Sequence, residues 1–209
     1  DSVLTPDVQE FLVDLHRAFQ PGRNVLLANH ADAAKRFADH ARPSFNPQTA
    51  YIRSGEWHIA PPPLDLTNRR TELTGPVRRE AMVEALNSGA NVFMADFEDT
   101  TTPSWDNVLS GQANLRDAYA GTLTAIVHGE IRTPSPDAAA IMVRTRGWHL
   151  DESNMKIDGE SVAASLFDFA VCAFHNSLPA IAAGTGPYFY LPKFESAADA
   201  RLWSDVLQF

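Results

Sequence analysis

From residue 70 onward the sequence predicts an α/β unit with a parallel sheet, preceded by a helical region. Short apolar runs of strand length alternate with amphipathic stretches of helical length. Gly, Pro and Asn clusters separate them, and the apolar runs lead into charged residues.

The first helix is read over residues 5–19, where Thr5 can cap, Pro6 takes the first helical position, and Phe11, Leu12, Leu15 and Phe19 recur at helical spacing. Pro21-Gly22 is a stop signal, so a second helix is predicted from about Asn24 to His40. Pro43 opens an unpatterned stretch to Arg70, with Pro47 and Pro61-Pro62-Pro63, which reads as an arm. Thr74-Gly75-Pro76 reads as the start of a helix that ends at Asn87-Ser88-Gly89. Val92 to Phe97 has the length and character of a buried strand. A helix over 104–119, a strand from Ala139 to Arg144 and a long helix over 161–182 follow. The run Tyr188 to Leu191 is the third strand, and Ser196 to Asp199 is a capping box opening the last helix. A closed eight-stranded barrel takes about 250 residues. Three strands therefore make either a small open sheet or the first part of something larger. The amphipathic pattern still running at Phe209 favours the second reading.

Of the 209 residues, 44% are hydrophobic, which is enough for a core and excludes a disordered chain. The net charge of −9 leaves no basic face, so nucleic acid is not a predicted partner. Cys172 is the single cysteine, so no internal disulfide can form. The most apolar stretch, Ser165 to Ala183, is interrupted by Asp168, His175 and Asn176 and predicts no membrane span. With no leader-like N-terminus, a cytoplasmic protein is expected.

Three strand ends carry the candidate chemistry. Asp96 and Glu98 sit two apart, which on a strand puts both carboxylates on one face about 7 Å apart. The carboxyl end of a parallel strand is where α/β folds bind ligands, so the pair can orient a cation and its water or tune a base. Solvated loop acids with a helix cap are the equal alternative. Arg144 and Arg146 share a face in the same way. A buried arginine there needs a carboxylate or an anionic substrate; an ion pair with Asp96 or Glu98 and an oxyanion stabiliser both satisfy it. Lys193, one of three lysines, reads as exposed or ion-paired, with Schiff-base or phosphate chemistry as the sharper alternative. The seven histidines show no metal-ligand spacing.

Six blocks together resemble one family, and their shared order makes the resemblance specific. They are Glu72 to Arg79, Ala85 to Asp99, Gly111 to Asp117, Arg144 to Leu150, Ser165 to Phe169 and Gly186 to Lys193. This pattern resembles the A-type malate synthases of the glyoxylate cycle, densely over 70–209 and more loosely before. The resemblance implies an incomplete (β/α)8 TIM barrel, about three strands over 71–209, preceded by an N-terminal helical clasp over 1–70. It implies condensation of acetyl-CoA with glyoxylate and water to malate and CoA, with Mg2+ as cofactor. Arg144 matches the family's catalytic arginine, and Asp96, Glu98 and Asp99 match acids around the metal. The direct metal ligands and the catalytic aspartate are expected beyond Phe209, in the missing remainder of the enzyme, so this chain alone is expected to be inactive. A cytoplasmic location is implied, or a peroxisomal or glyoxysomal one in a eukaryote. A related Mg-dependent lyase of the citrate-lyase β type, and a non-catalytic interaction fragment, are the alternatives.

Overall fold

The computed structural model describes residues 3–209. Helix α1 spans Pro6–Ala38 without interruption, capped by Thr5, whose Oγ1 accepts from the Val8 N–H at 3.3 Å. The predicted break at Pro21-Gly22 does not occur. A proline inside a helix costs about 3 kcal/mol in lost hydrogen bonding and steric conflict, and docking offsets that here. Buried Arg23, two residues on, donates to the carbonyls of Trp148 at 2.6 Å and Leu150 at 3.1 Å. Gly22 meanwhile lies against Leu202, close enough that a Cβ would come within 3.3 Å. Tertiary contacts of the two residues that follow the proline thus override the local stop.

Residues 40–70 are irregular, as their prolines predict, with one short helix, α2 (Ala50–Ser54), and two 3-10 turns. The next element corrects the sequence reading: Glu72–Pro76 is a strand, β1, and the following helix α3 covers only Arg79–Leu86. β1 has one buried residue, Gly75, so it carries no apolar run to betray it. Its place comes from parallel pairing with β2 (Val92–Asp96).

The main sheet therefore has four parallel strands among the described residues, not three, in the order β1-β2-β5-β8. β5 is Ala140–Arg144 and β8 is Tyr188–Tyr190. The register aligns Pro76, Asp96, Arg144 and Tyr190 across the carboxyl end. Helices α4 (Trp105–Tyr119) and α5 (Ala164–Ala182) pack against each other, and α1 lies on α5 and on α6 (Ala197–Gln208). The capping box at Ser196 and Asp199 forms as read. Gly111 lets α4 settle onto the sheet end, because a Cβ there would overlap the Val77 side chain and touch Phe97. Trp203 of α6 packs on Trp148 with centroids 4.7 Å apart and the rings tilted by 38°.

Two hairpins were absent from the sequence reading: β3 (Ala125–Val127) with β4 (Glu130–Arg132), and β6 (Asp151–Ile157) with β7 (Glu160–Ala163). Each turns on a pair at positive φ, His128-Gly129 and Asp158-Gly159, the backbone that a two-residue hairpin turn requires. The β7 strand takes residues assigned above to the start of the long helix, which begins at Ala164. No described helix is long and apolar enough to cross a membrane. The parallel strands and N-terminal helix are those of an incomplete barrel.

Candidate active site at the carboxyl end of the sheet

β2 ends at Asp96, and the chain then curls back over its carboxylate. Oδ1 accepts from the Glu98 N–H at 2.8 Å, and Oδ2 from the Thr100 N–H at 3.0 Å. The Thr101 hydroxyl donates to the Asp96 carbonyl at 2.7 Å and closes the turn. On the neighbouring strand, Arg144 forks onto the same carboxylate, with Nε at 2.8 Å from Oδ1 and Nη2 at 2.7 Å from Oδ2. This planar bidentate pairing orients a guanidinium more firmly than a single contact can. Full burial opposes the charge on Asp96, but the Arg144 fork and the backbone donors win and hold its carboxyl below the usual range. The bond to Asp96 in turn raises Arg144 further above its already high value, so it is a permanent cation.

The turn also corrects the sequence-level geometry of the acids. Asp96 and Glu98 were expected to alternate onto one strand face, but the strand stops at Asp96 and Glu98 lies in the turn beyond it. The two carboxylates consequently have different surroundings. Both Glu98 oxygens are buried without a hydrogen-bond partner, and the nearest cation contact is Arg144 Nε at 4.0 Å. Burial, then repulsion from Asp99 and Asp96, pushes the Glu98 carboxyl up against the pull of Lys193 and Arg144. Gly147 packs beside it; a Cβ there would sit 3.0 Å from Glu98 Oε1 and 2.7 Å from His149 Nδ1. Asp99 is half-exposed and receives Arg144 Nη2 at 3.0 Å and Lys193 Nζ at 3.5 Å. All four residues singled out in the sequence thus meet around one guanidinium, and Lys193 joins them as an ion-paired residue.

Arg146 does not share the fate of Arg144. It is buried between Asp168, which takes Nε at 3.0 Å and Nη2 at 2.8 Å, and Glu152, which takes Nη1 at 2.9 Å. Burial pushes the Asp168 carboxyl up, with Arg146 pulling the other way. Sequence reasoning missed both acids. Asp168, the lone charge inside the most apolar stretch of the chain, was the available signal.

A magnesium ion takes hard oxygen donors and keeps several of its waters. Glu98, with two unpartnered buried oxygens, and half-exposed Asp99 fit the rim of such a hydrated ion. Among the described residues no group of three or more His, Cys, Asp or Glu side chains is arranged to hold a metal directly. A cleft of about 670 Å3 lies between the end of β1, the turn after β2 and α4, lined by Pro76, Arg78, Arg79, Glu80, Thr100 and Asn107 among others.

Comparison with known proteins returns two family models. "Malate synthase, N-terminal domain" matches residues 1–51, and "Malate synthase, TIM barrel domain" matches residues 140–209. Malate synthase of Myxococcus xanthus is 50% identical over 205 residues, covering 98% of this chain and 38% of that protein. Malate synthase A of Escherichia coli is 44% identical, covering 99% and 39%. The glyoxysomal malate synthase of Gossypium hirsutum is 41% identical, covering 99% and 37%. The chain spans about two fifths of the length of these relatives.

Proposed function

We propose that this chain, which belongs to the malate synthase family, acts within a complete enzyme that condenses acetyl-CoA with glyoxylate and water to malate and CoA. Residues 1–70 are then the helical clasp and 71–209 the first part of the barrel. The observation that carries the reading is Arg144, gripped in a fork by buried Asp96 at the carboxyl end of the parallel strands.

The fork occupies Nε and Nη2, and Nη1 makes no hydrogen bond among the described residues. That edge is free to donate to a substrate oxygen. Deprotonating the acetyl methyl group builds negative charge on the thioester oxygen, and a fixed cation lowers the cost of that charge because it need not reorganise. Arg144 cannot be the base, since it never gives up its proton here. Asp96 fixes the guanidinium without competing as a base, its lone pairs being committed to Arg144 and the turn. Glu98 and Asp99 would receive hydrogen bonds from the water shell of the metal. Magnesium, when bound, supplies Lewis acidity at the glyoxylate aldehyde. The adjoining cleft carries the exposed Arg78 guanidinium, 3.5 Å from Glu80, which a phosphate of a CoA thioester would have to outcompete. The proposed location is cytoplasmic, or peroxisomal or glyoxysomal in a eukaryote.

The test is thiol release from acetyl-CoA dependent on glyoxylate, in the complete enzyme containing this chain. Arg144→Lys should lower the rate at least about a hundredfold, the scale for removing a preorganised donor, while the melting temperature falls little by comparison. An unchanged rate would make Arg144 a structural partner of Asp96. Cleavage of a citryl or malyl thioester without malate synthesis would favour the lyase reading instead.

A further inference from the structure

Lys193 stands out for its backbone. It has φ of 57°, the left-handed region that residues with a Cβ rarely enter and that persists chiefly where surrounding structure enforces it. The position follows Pro192, three residues past Tyr190, which pairs in register with Arg144. This places the ammonium at the same end of the sheet as the guanidinium. Lys193 Nζ lies 3.5 Å from Asp99 Oδ2, the oxygen that Arg144 Nη2 holds at 3.0 Å. Two cations from adjacent strands therefore converge on one half-exposed carboxylate oxygen.

We propose that Lys193 is the second anion-binding cation of the active site, holding the carboxylate of a small 2-oxo acid substrate beside Arg144. Asp99 marks the geometry from within the chain: a carboxylate oxygen at that point satisfies both cations at once. The substrate replaces it there, and the flexible lysine stem, half-exposed, can follow the incoming group. A monoanionic carboxylate suits the place better than a phosphate. Asp96, Glu98 and Asp99 already crowd the two cations, and a more highly charged anion would meet stronger repulsion from them.

This assignment rests on the proposed function, so the test separates the two. In the complete enzyme with magnesium, glyoxylate binding and acetyl-CoA binding are each measured by calorimetry for the unaltered protein, K193M, K193R and K193G. Loss of a charge-assisted hydrogen bond predicts glyoxylate binding weaker by about tenfold in K193M. Acetyl-CoA binding should be unchanged, and K193R should recover most of the loss. K193G removes the amine while easing the backbone, so it should fold at least as well as the unaltered protein and still lose glyoxylate affinity. Unchanged glyoxylate binding in both K193M and K193G overturns the assignment. So does a loss confined to acetyl-CoA, which would make Lys193 a phosphate contact, or an equal loss for both ligands. An unaltered enzyme that binds no glyoxylate overturns the functional reading, and this assignment with it.

Discussion

Asn at position 96 isolates what the buried pair contributes, because it keeps the shape of Asp96 and removes the charge. Asp96 accepts from Arg144 Nε and Nη2 and from the backbone N–H groups of Glu98, Asp99 and Thr100. An amide keeps one acceptor oxygen. If that oxygen faces Glu98 N and Arg144 Nε, the new NH2 faces Arg144 Nη2 and Thr100 N, donor against donor. Removing one partner of a buried ion pair typically costs about 3–5 kcal/mol. For a chain of this size each kcal/mol moves the melting temperature by about 2–4 °C, so D96N should melt roughly 10 °C lower at pH 7. The pH dependence supplies a second check. Because folding lowers the Asp96 pKa, its stabilisation is present above the unfolded carboxylate value of about 4 and is lost as pH falls through the lower folded value. The gap between the two proteins, measured by circular dichroism melts, should therefore close in acid. Equal melting temperatures at pH 7, or a gap undiminished in acid, would refute the reasoning.

Glu98→Gln should act in the opposite direction. Its folded pKa is raised, so the native carboxyl is favoured protonated below about pH 4 and loses stability as pH rises through the folded value. E98Q should raise the melting temperature at pH 7 and leave it unchanged in acid; a lower value at pH 7 would show an unrecognised partner. Arg23→Ala removes the buried donors that hold α1 across Pro21 and leaves the Trp148 carbonyl without its donor, while Leu150 keeps the Ala164 N–H, a loss of about 1–3 kcal/mol. Limited proteolysis should then cut near Pro21, and unchanged resistance would count against tertiary bracing of the helix. Gly111→Ala should cost about 1–3 kcal/mol by overpacking Val77, checked by the same melts; no change would mean the α4 contact can relax.

How much of this was legible depended on whether the cause was local. β2, β5 and β8 announce themselves as apolar runs, and the Ser196 capping box is written in four consecutive residues. β1 is silent because only Gly75 is buried and Pro76 resembles a helix start; pairing with β2 makes it a strand. Pro21 is a correct local stop signal that distant carbonyls at 148 and 150 override. The hairpin at Asp158-Gly159 was readable, since Asp-Gly favours the tight turn that its positive φ values show.

The site divides along the same line. That Arg144 would need an acid followed from burial alone, but the choice of Asp96 follows from register, which places the two side by side on paired strands. Glu98 could not be told from Asp96 by spacing, because spacing assumes a strand that continues. Once the Asp96 carboxylate captures the N–H groups after it, the alternation ends and the next acid is left buried without a donor. One carboxylate thus uses up the local donors, and its neighbour becomes the group with oxygen lone pairs to spare. An arginine shared by Asp96 and Asp99 beside a third, unsatisfied acid is poor architecture for stability alone: the uncompensated carboxylate costs free energy that a Gln or an apolar residue would not. Under the function proposed above, a cation and an anionic substrate would complete the charge balance around the Asp96 turn, the Arg144 fork and the unpartnered Glu98 oxygens.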